Sequence, residues 1–266
     1  TVSFSEEADE LTQLLYYCSA HSSMQAQFHL EDSGTQDNSE SSNNELLDIT
    51  PDSIVQPVEE RFGALRAQAG NTIFYAFSDD MLANSSLGVA YQNAIQAIDS
   101  IIEMDFQRID DSTSPLAQLI LSEGDLSDME LEDDAEGRTL GVNEPSYSTQ
   151  TVGTAQYRSN ARNTITIDED AYSEVISNFS SFDVYAQHIA QHEIGHALGL
   201  QHPWESGTGE LNDYAVSQTM MAYRIDNTLE VATITDVDRQ ALEQLHGAES
   251  SASSTPSVDS SVPVIN

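Results

Sequence analysis

The chain has 266 residues, with 45 Asp and Glu against eight Arg and no Lys, a formal net charge of −37. That balance excludes binding to nucleic acid phosphates or to an anionic membrane surface, both of which need clustered cations. The apolar fraction is 39%, enough in a chain this long for one core with polar extensions, and no apolar run approaches the roughly 18 residues of a membrane span.

The chain opens at Thr1 rather than Met, which is read as either processing or trimming, with any leader expected to be already gone. Residues 1–30 put Leu11, Leu14, Leu15 and Cys18 on one helical stripe and predict a short helix. Residues 31–45, EDSGTQDNSESSNNE, contain no aliphatic side chain and predict a solvated linker. Residues 1–45 therefore read as a peripheral segment, and the folded domain as residues 46–248. Residues 71–78, NTIFYAFS, predict a strand. Residues 87–105 place Val89, Ala90, Ala94, Ile95, Ala97, Ile98, Ile101 and Ile102 at helical spacing and predict one long amphipathic helix. Candidate strands follow at 106–109, 116–121, 139–142, 152–158 and 163–168. A second helix is expected over 182–198, capped by Ser180 or Ser181 and stopped by Gly199. A third is expected over 236–246, closed by Gly247, and the Ser/Pro-rich residues 249–266 read as a disordered tail. The fold class is α/β.

Cys18 is the single cysteine, which excludes an internal disulfide and a cysteine zinc cluster; any metal must be held by histidines and carboxylates. Within the second helix the chain reads His192-Glu193-Ile194-Gly195-His196-Ala197-Leu198-Gly199-Leu200-Gln201-His202-Pro203. His192 and His196 lie four apart, about 40° around a helix and about 6 Å along it, so both rings reach one ion. On an unbroken helix residue 202 would point about 240° away, so the chain must turn, and Gly199 is where it can. Three imidazoles at a zinc ion leave a position open for water, as a catalytic site requires, and Glu193 is placed to take a proton from that water. His188 is the rival ligand on this face. It would stand about 12 Å along the axis from His196, too far to share a zinc, and a buried or capping role is expected for it.

The spacing HExxHxxGxxH resembles that of the metzincin zinc peptidases, and the downstream Met221-Ala222-Tyr223 resembles the Met-Ser-Tyr of the serralysin family. Pro203 and residues 235–248 are similar to that family as well. The resemblance implies a metzincin fold: a twisted mixed sheet, a long packing helix, an active-site helix and a small C-terminal subdomain with a methionine turn. It implies one catalytic Zn2+ on His192, His196 and His202, Glu193 as general base, and Met221 beneath the metal. It also implies that Tyr223 ligates the resting metal and then swings away to stabilise the tetrahedral intermediate. The expected activity is that of a secreted, monomeric metalloendopeptidase acting on protein or peptide in extended conformation, with residues 152–158 read either as the edge strand that pairs with substrate or as an ordinary interior strand. The GGxGxDxUx repeats that carry calcium in serralysins are absent, so calcium stands only as a permitted second ion. Trp204 and Glu205 replace the family's common Gly-Asp after the third ligand.

Two further expectations concern the ends and the surface. Cys18 is weighed as a latency thiolate from a prosegment, against a buried inert thiol. The acidic surface is read as adaptation to salt, against a calcium-collecting or cationic-partner surface for which the sequence has no Asp-x-Asp-x-Asp-Gly loop. The competing function is a zinc-containing binding or adhesion module of the same fold that does not turn over.

Overall fold

The computed structural model describes residues 13–16, 26–29, 46–57, 64–66, 71–127, 139–152 and 155–249. The linker expected at 31–45, the tail from 250 onward and Cys18 lie outside the described residues. At the N-terminus, β1 (Gln13–Tyr16) pairs antiparallel with β2 (Ala26–His29). The helix expected across residues 1–30 is therefore replaced, where the chain is described, by a hairpin. Leucine and aromatic spacing over so short a run satisfies either period.

The main sheet has five strands: β3 (Thr72–Phe77), β4 (Asp105–Arg108), β5 (Leu119–Glu123), β6 (Gly141–Val152) and β7 (Ala155–Ile167), in the order β4-β3-β5-β7-β6. The first four in that order run parallel, and β6 is the antiparallel edge. The separate strands expected at 139–142, 152–158 and 163–168 are thus two arms of one long hairpin. Residues 152–158 straddle its turn, so the sheet edge is β6 and not that segment. The central strands alternate as a two-faced sheet dictates. Ile73, Tyr75, Leu119, Leu121, Ile165 and Ile167 face the main core, while Ala76 and Ile120 face the other side with Ala117.

Two helices cover the core face. The first, α1 (Ser86–Asp99), is started by Ser85, whose hydroxyl accepts from the Gly88 amide at 3.0 Å. It buries Leu87, Tyr91, Ala94, Ile95 and Ile98. It stops at Asp99 rather than running to 105, and the apolar residues beyond it serve a different contact: Ile102, fully buried, bridges antiparallel to Ala248. Tyr91 reaches across the core and donates to the carbonyls of Ser122 and Ile165 at 2.9 and 3.1 Å. After the single turn α2 (Tyr172–Val175) comes α3 (Phe182–Ala197), capped by the Ser181 hydroxyl, which accepts from the Val184 amide at 3.3 Å. From Ile189 to Ala197 every residue of α3 is buried, because the sheet and α1 lie on one side of it and the C-terminal segment on the other. The last helix, α4 (Asp236–His246), begins at Thr235 and ends at Gly247. This mixed sheet with its helices is the α/β architecture expected from the sequence.

Candidate metal centre

Gly199 has φ of 99°, a left-handed conformation open to glycine and strained for other residues. The chain reverses there, with the Leu200 amide donating to the Gly195 carbonyl at 2.9 Å and the Gly199 amide to the His196 carbonyl at 3.0 Å. The reversal is braced from outside: Val55 bridges antiparallel to Leu200, the Gln56 amide donates to Gly199 O at 3.0 Å, and the Gln201 amide donates to Ile54 O at 2.8 Å. Pro203 then opens a 3-10 turn, Pro203–Ser206, that aims His202 back at α3.

The three Nε2 atoms of His192, His196 and His202 form a near-equilateral triangle with sides of 3.1, 3.2 and 3.3 Å. Imidazole nitrogens sharing a zinc at about 2.1 Å with tetrahedral angles stand about 3.4 Å apart. The triangle is therefore a zinc-sized set of lone pairs. Each remaining ring nitrogen is occupied: His192 Nδ1 donates to Met220 O at 2.8 Å, His196 Nδ1 donates to Leu200 O at 3.0 Å, and His202 Nδ1 lies 3.2 Å from Glu205 Oε1. A carbonyl only accepts, so Nδ1 of His192 and of His196 holds the proton and Nε2 is left as the donor atom for a metal. Burial first, then His196 and His202 nearby, hold His192 well below the ordinary histidine range, and the ring meets a metal neutral. His192, His196 and His202 are the one group of three or more potential ligands close enough to share an ion among the described residues. His188 is not part of it.

Glu193 is fully buried beside the first of these histidines. The start of β6 presses on it: a Cβ at Gly141 would lie 2.5 Å from Ile189 Cγ2 and 3.3 Å from Glu193 Cγ, so the close approach of strand to helix needs glycine there. On the opposite side of α3, Met220 and Met221 are fully buried, and a Cβ at Gly195 would stand 2.9 Å from the Met221 sulfur. The turn carrying them is held by Asp238 of α4, whose carboxylate accepts from the Thr219 hydroxyl and from the Met220 and Thr235 amides, the latter two at 2.9 Å each. Tyr223, nearly buried, sets its ring 5.4 Å from that of His192 and 4.6 Å from that of His202.

Three features here were not assigned from the sequence. Glu205 holds the third histidine through both carboxylate oxygens, its Oε2 accepting from the His202 amide at 2.9 Å. Trp204 stacks flat on His202, 4.6 Å between ring centres and 6° between planes. Asp238 supports Met220, whose carbonyl orients His192. The carboxylate three residues after His202 was the available signal for the first; nothing local marks Asp238 as reaching residues 219–220.

Beside the triangle, on the Tyr223 and His188 side, lies a cleft. Leu140, Val175, Phe179 and Ile225 give it apolar walls, and His192 and Tyr223 open it to the metal centre.

A parallel sheet with one antiparallel edge, backed by a helix that carries two ligands and turns at glycine to present a third, defines a zinc peptidase type of architecture. The family profile described as matrixin, of peptidase family M10, matches residues 68–247, and the chain belongs to that family. Zinc is the metal of that family, and the His192, His196 and His202 cluster fits it. No curated protein matches the chain.

Proposed function

We propose that the protein is a secreted zinc metalloendopeptidase of serralysin-like type, with Glu193 as its base. The observation that carries the reading is the Nε2 triangle with a buried carboxylate on the neighbouring residue; a zinc site serving structure alone has no need of Glu193. Zinc held there supplies a Lewis acid that lowers the pKa of a water molecule and polarises the scissile carbonyl. Glu193 accepts a proton as the water oxygen adds to the carbonyl carbon, and delivers it to the departing amine nitrogen as the C–N bond breaks. Tyr223 donates a hydrogen bond to the oxygen that gains charge. Met221 packs beneath the ligands, and Met221-Ala222-Tyr223 with Pro203 supports the serralysin-like subtype. Substrate lies extended along the free edge of β6, pairing antiparallel with its backbone.

Hydrolysis of a mixed peptide library by the wild type and by Glu193→Ala, with zinc content measured in both, tests this reading. Both proteins are expected to hold one zinc, with cleavage falling by roughly 10²–10⁴-fold in the variant. A wild type that holds zinc and cuts no peptide overturns the reading in favour of a binding module.

A further inference from the structure

His188 sits one helical turn before His192 on the same face of α3, about 6 Å deeper along the axis. Its side chain lines the cleft, is 4% exposed, and carries an Nδ1 that is buried without a hydrogen-bond partner among the described residues. Buried polar atoms are normally satisfied, and one that is not calls for an explanation. The neighbouring ring of Phe179, 6.0 Å away between centres, packs against the imidazole and offers it no hydrogen bond. Burial pushes the His188 pKa down to about 4, so at neutral pH the ring has one N–H and one lone pair. The cleft is thus lined by a neutral group able to give or take a hydrogen bond, set among mostly apolar walls, with Asn178, His192 and Tyr223 as the other polar residues.

We infer that His188 selects the substrate side chain entering this cleft, favouring a long one with a neutral polar tip, tyrosine foremost, over its apolar counterpart. The inference rests on the peptidase reading above and names the substrate class of that same site. Flat apolar walls made by Leu140, Val175 and Phe179 suit an aromatic ring. A phenolic hydroxyl both donates and accepts, so it satisfies either tautomer of His188. Phenylalanine in the same place fills the walls but removes water from the imidazole and returns no hydrogen bond, and a site built to bond a hydroxyl discriminates against the analogue that lacks it. A carboxylate or ammonium tip is disfavoured because nothing in the cleft neutralises it. Serine is too short to span the turn from His192 to His188.

Paired peptides differing only in Tyr against Phe at each position flanking the cut, given to the zinc-loaded full chain, decide the matter. At one flanking position the wild type is expected to favour Tyr in kcat/KM by about tenfold or more. His188→Leu should reverse that preference, while His188→Gln, which keeps a donor and an acceptor, should retain most of it. Cleavage of both peptides at equal rates by the wild type, or a Tyr preference that survives His188→Leu, overturns the assignment and leaves the peptidase reading standing. If His188→Leu does not fold, the wild-type ratio and its retention in His188→Gln decide between the two outcomes. Absence of all cleavage by zinc-loaded wild type overturns both readings together.

Discussion

The protons on the histidine cluster are placed by the acceptors behind it. Two of those acceptors are backbone carbonyls, of Met220 and Leu200, and beside the third ring stands the Glu205 carboxylate, its Oε1 3.2 Å from His202 Nδ1. A carbonyl orients a ring, whereas a carboxylate also raises its basicity and strengthens it as a ligand. His202 is therefore the ligand most open to adjustment by mutation. Glu205→Ala should lower zinc affinity by about 10–100-fold, with the two ligands on α3 still in register. Competition with a fluorescent chelator reads this directly, and an affinity equal to that of the wild type would show that the Trp204 stack alone orients His202. Trp204 covers the face of His202 with its own ring and meets Tyr223 edge-on at 5.0 Å. Tyr223 therefore packs against the same tryptophan that stacks on the third histidine.

Among the elements, α4 does most for the site while touching no ligand. Asp238 is buried, and burial raises its pKa against the three donors that favour the carboxylate. Removing it strands the Met220 and Thr235 amides and the Thr219 hydroxyl, each bonded to a charged acceptor at about 1.5–3 kcal/mol. Asp238→Ala should lower stability by about 3 kcal/mol or more, a fall in Tm of roughly 6–12 °C in thermal unfolding of the zinc-free protein. A change under about 1 °C would show that the turn at 219–221 holds itself. The end of the helix is legible because Gly247 is a local stop signal, and in the structure Thr235 caps its start. The α3 cap and the Gly199 turn are legible for the same reason, and the ligand triangle follows from them. What is not legible depends on contacts remote in sequence. Ile101 and Ile102 keep the period of α1, but Ile102 bridges to Ala248 and the Ile101 carbonyl accepts from the Glu249 amide, so the helix looks longer in sequence than it is. The β6–β7 hairpin reads as fragments because its outer half is polar and pairs only with itself. Glu205 is visible as a residue but not as a partner, since its role depends on how the 3-10 turn folds back.

For the molecule as a whole, the charge of −37 is spread over a surface with only eight arginines to offset it. Ion pairs among the described residues are few, and Arg239 is shared between Asp236 and Glu243. Self-repulsion of this kind weakens as the screening length falls from about 10 Å at 0.1 M salt to about 3 Å at 1 M. Tm should therefore rise by about 4 °C or more over that range of NaCl; a flat or falling trend would count against a salt-adapted surface. The support that Asp238 and His246 give to α3 and Met220, the latter ring bonded to Leu198 O at 2.8 Å, comes from the far end of the family-matched region. On a ribosome, where the chain emerges from its N-terminus, all three histidines are outside long before α4 follows to clamp them. The nascent chain therefore passes from residue 202 to residue 246 with its three histidines made and its cleft unfinished, and the support of Met220 arrives only with the last helix.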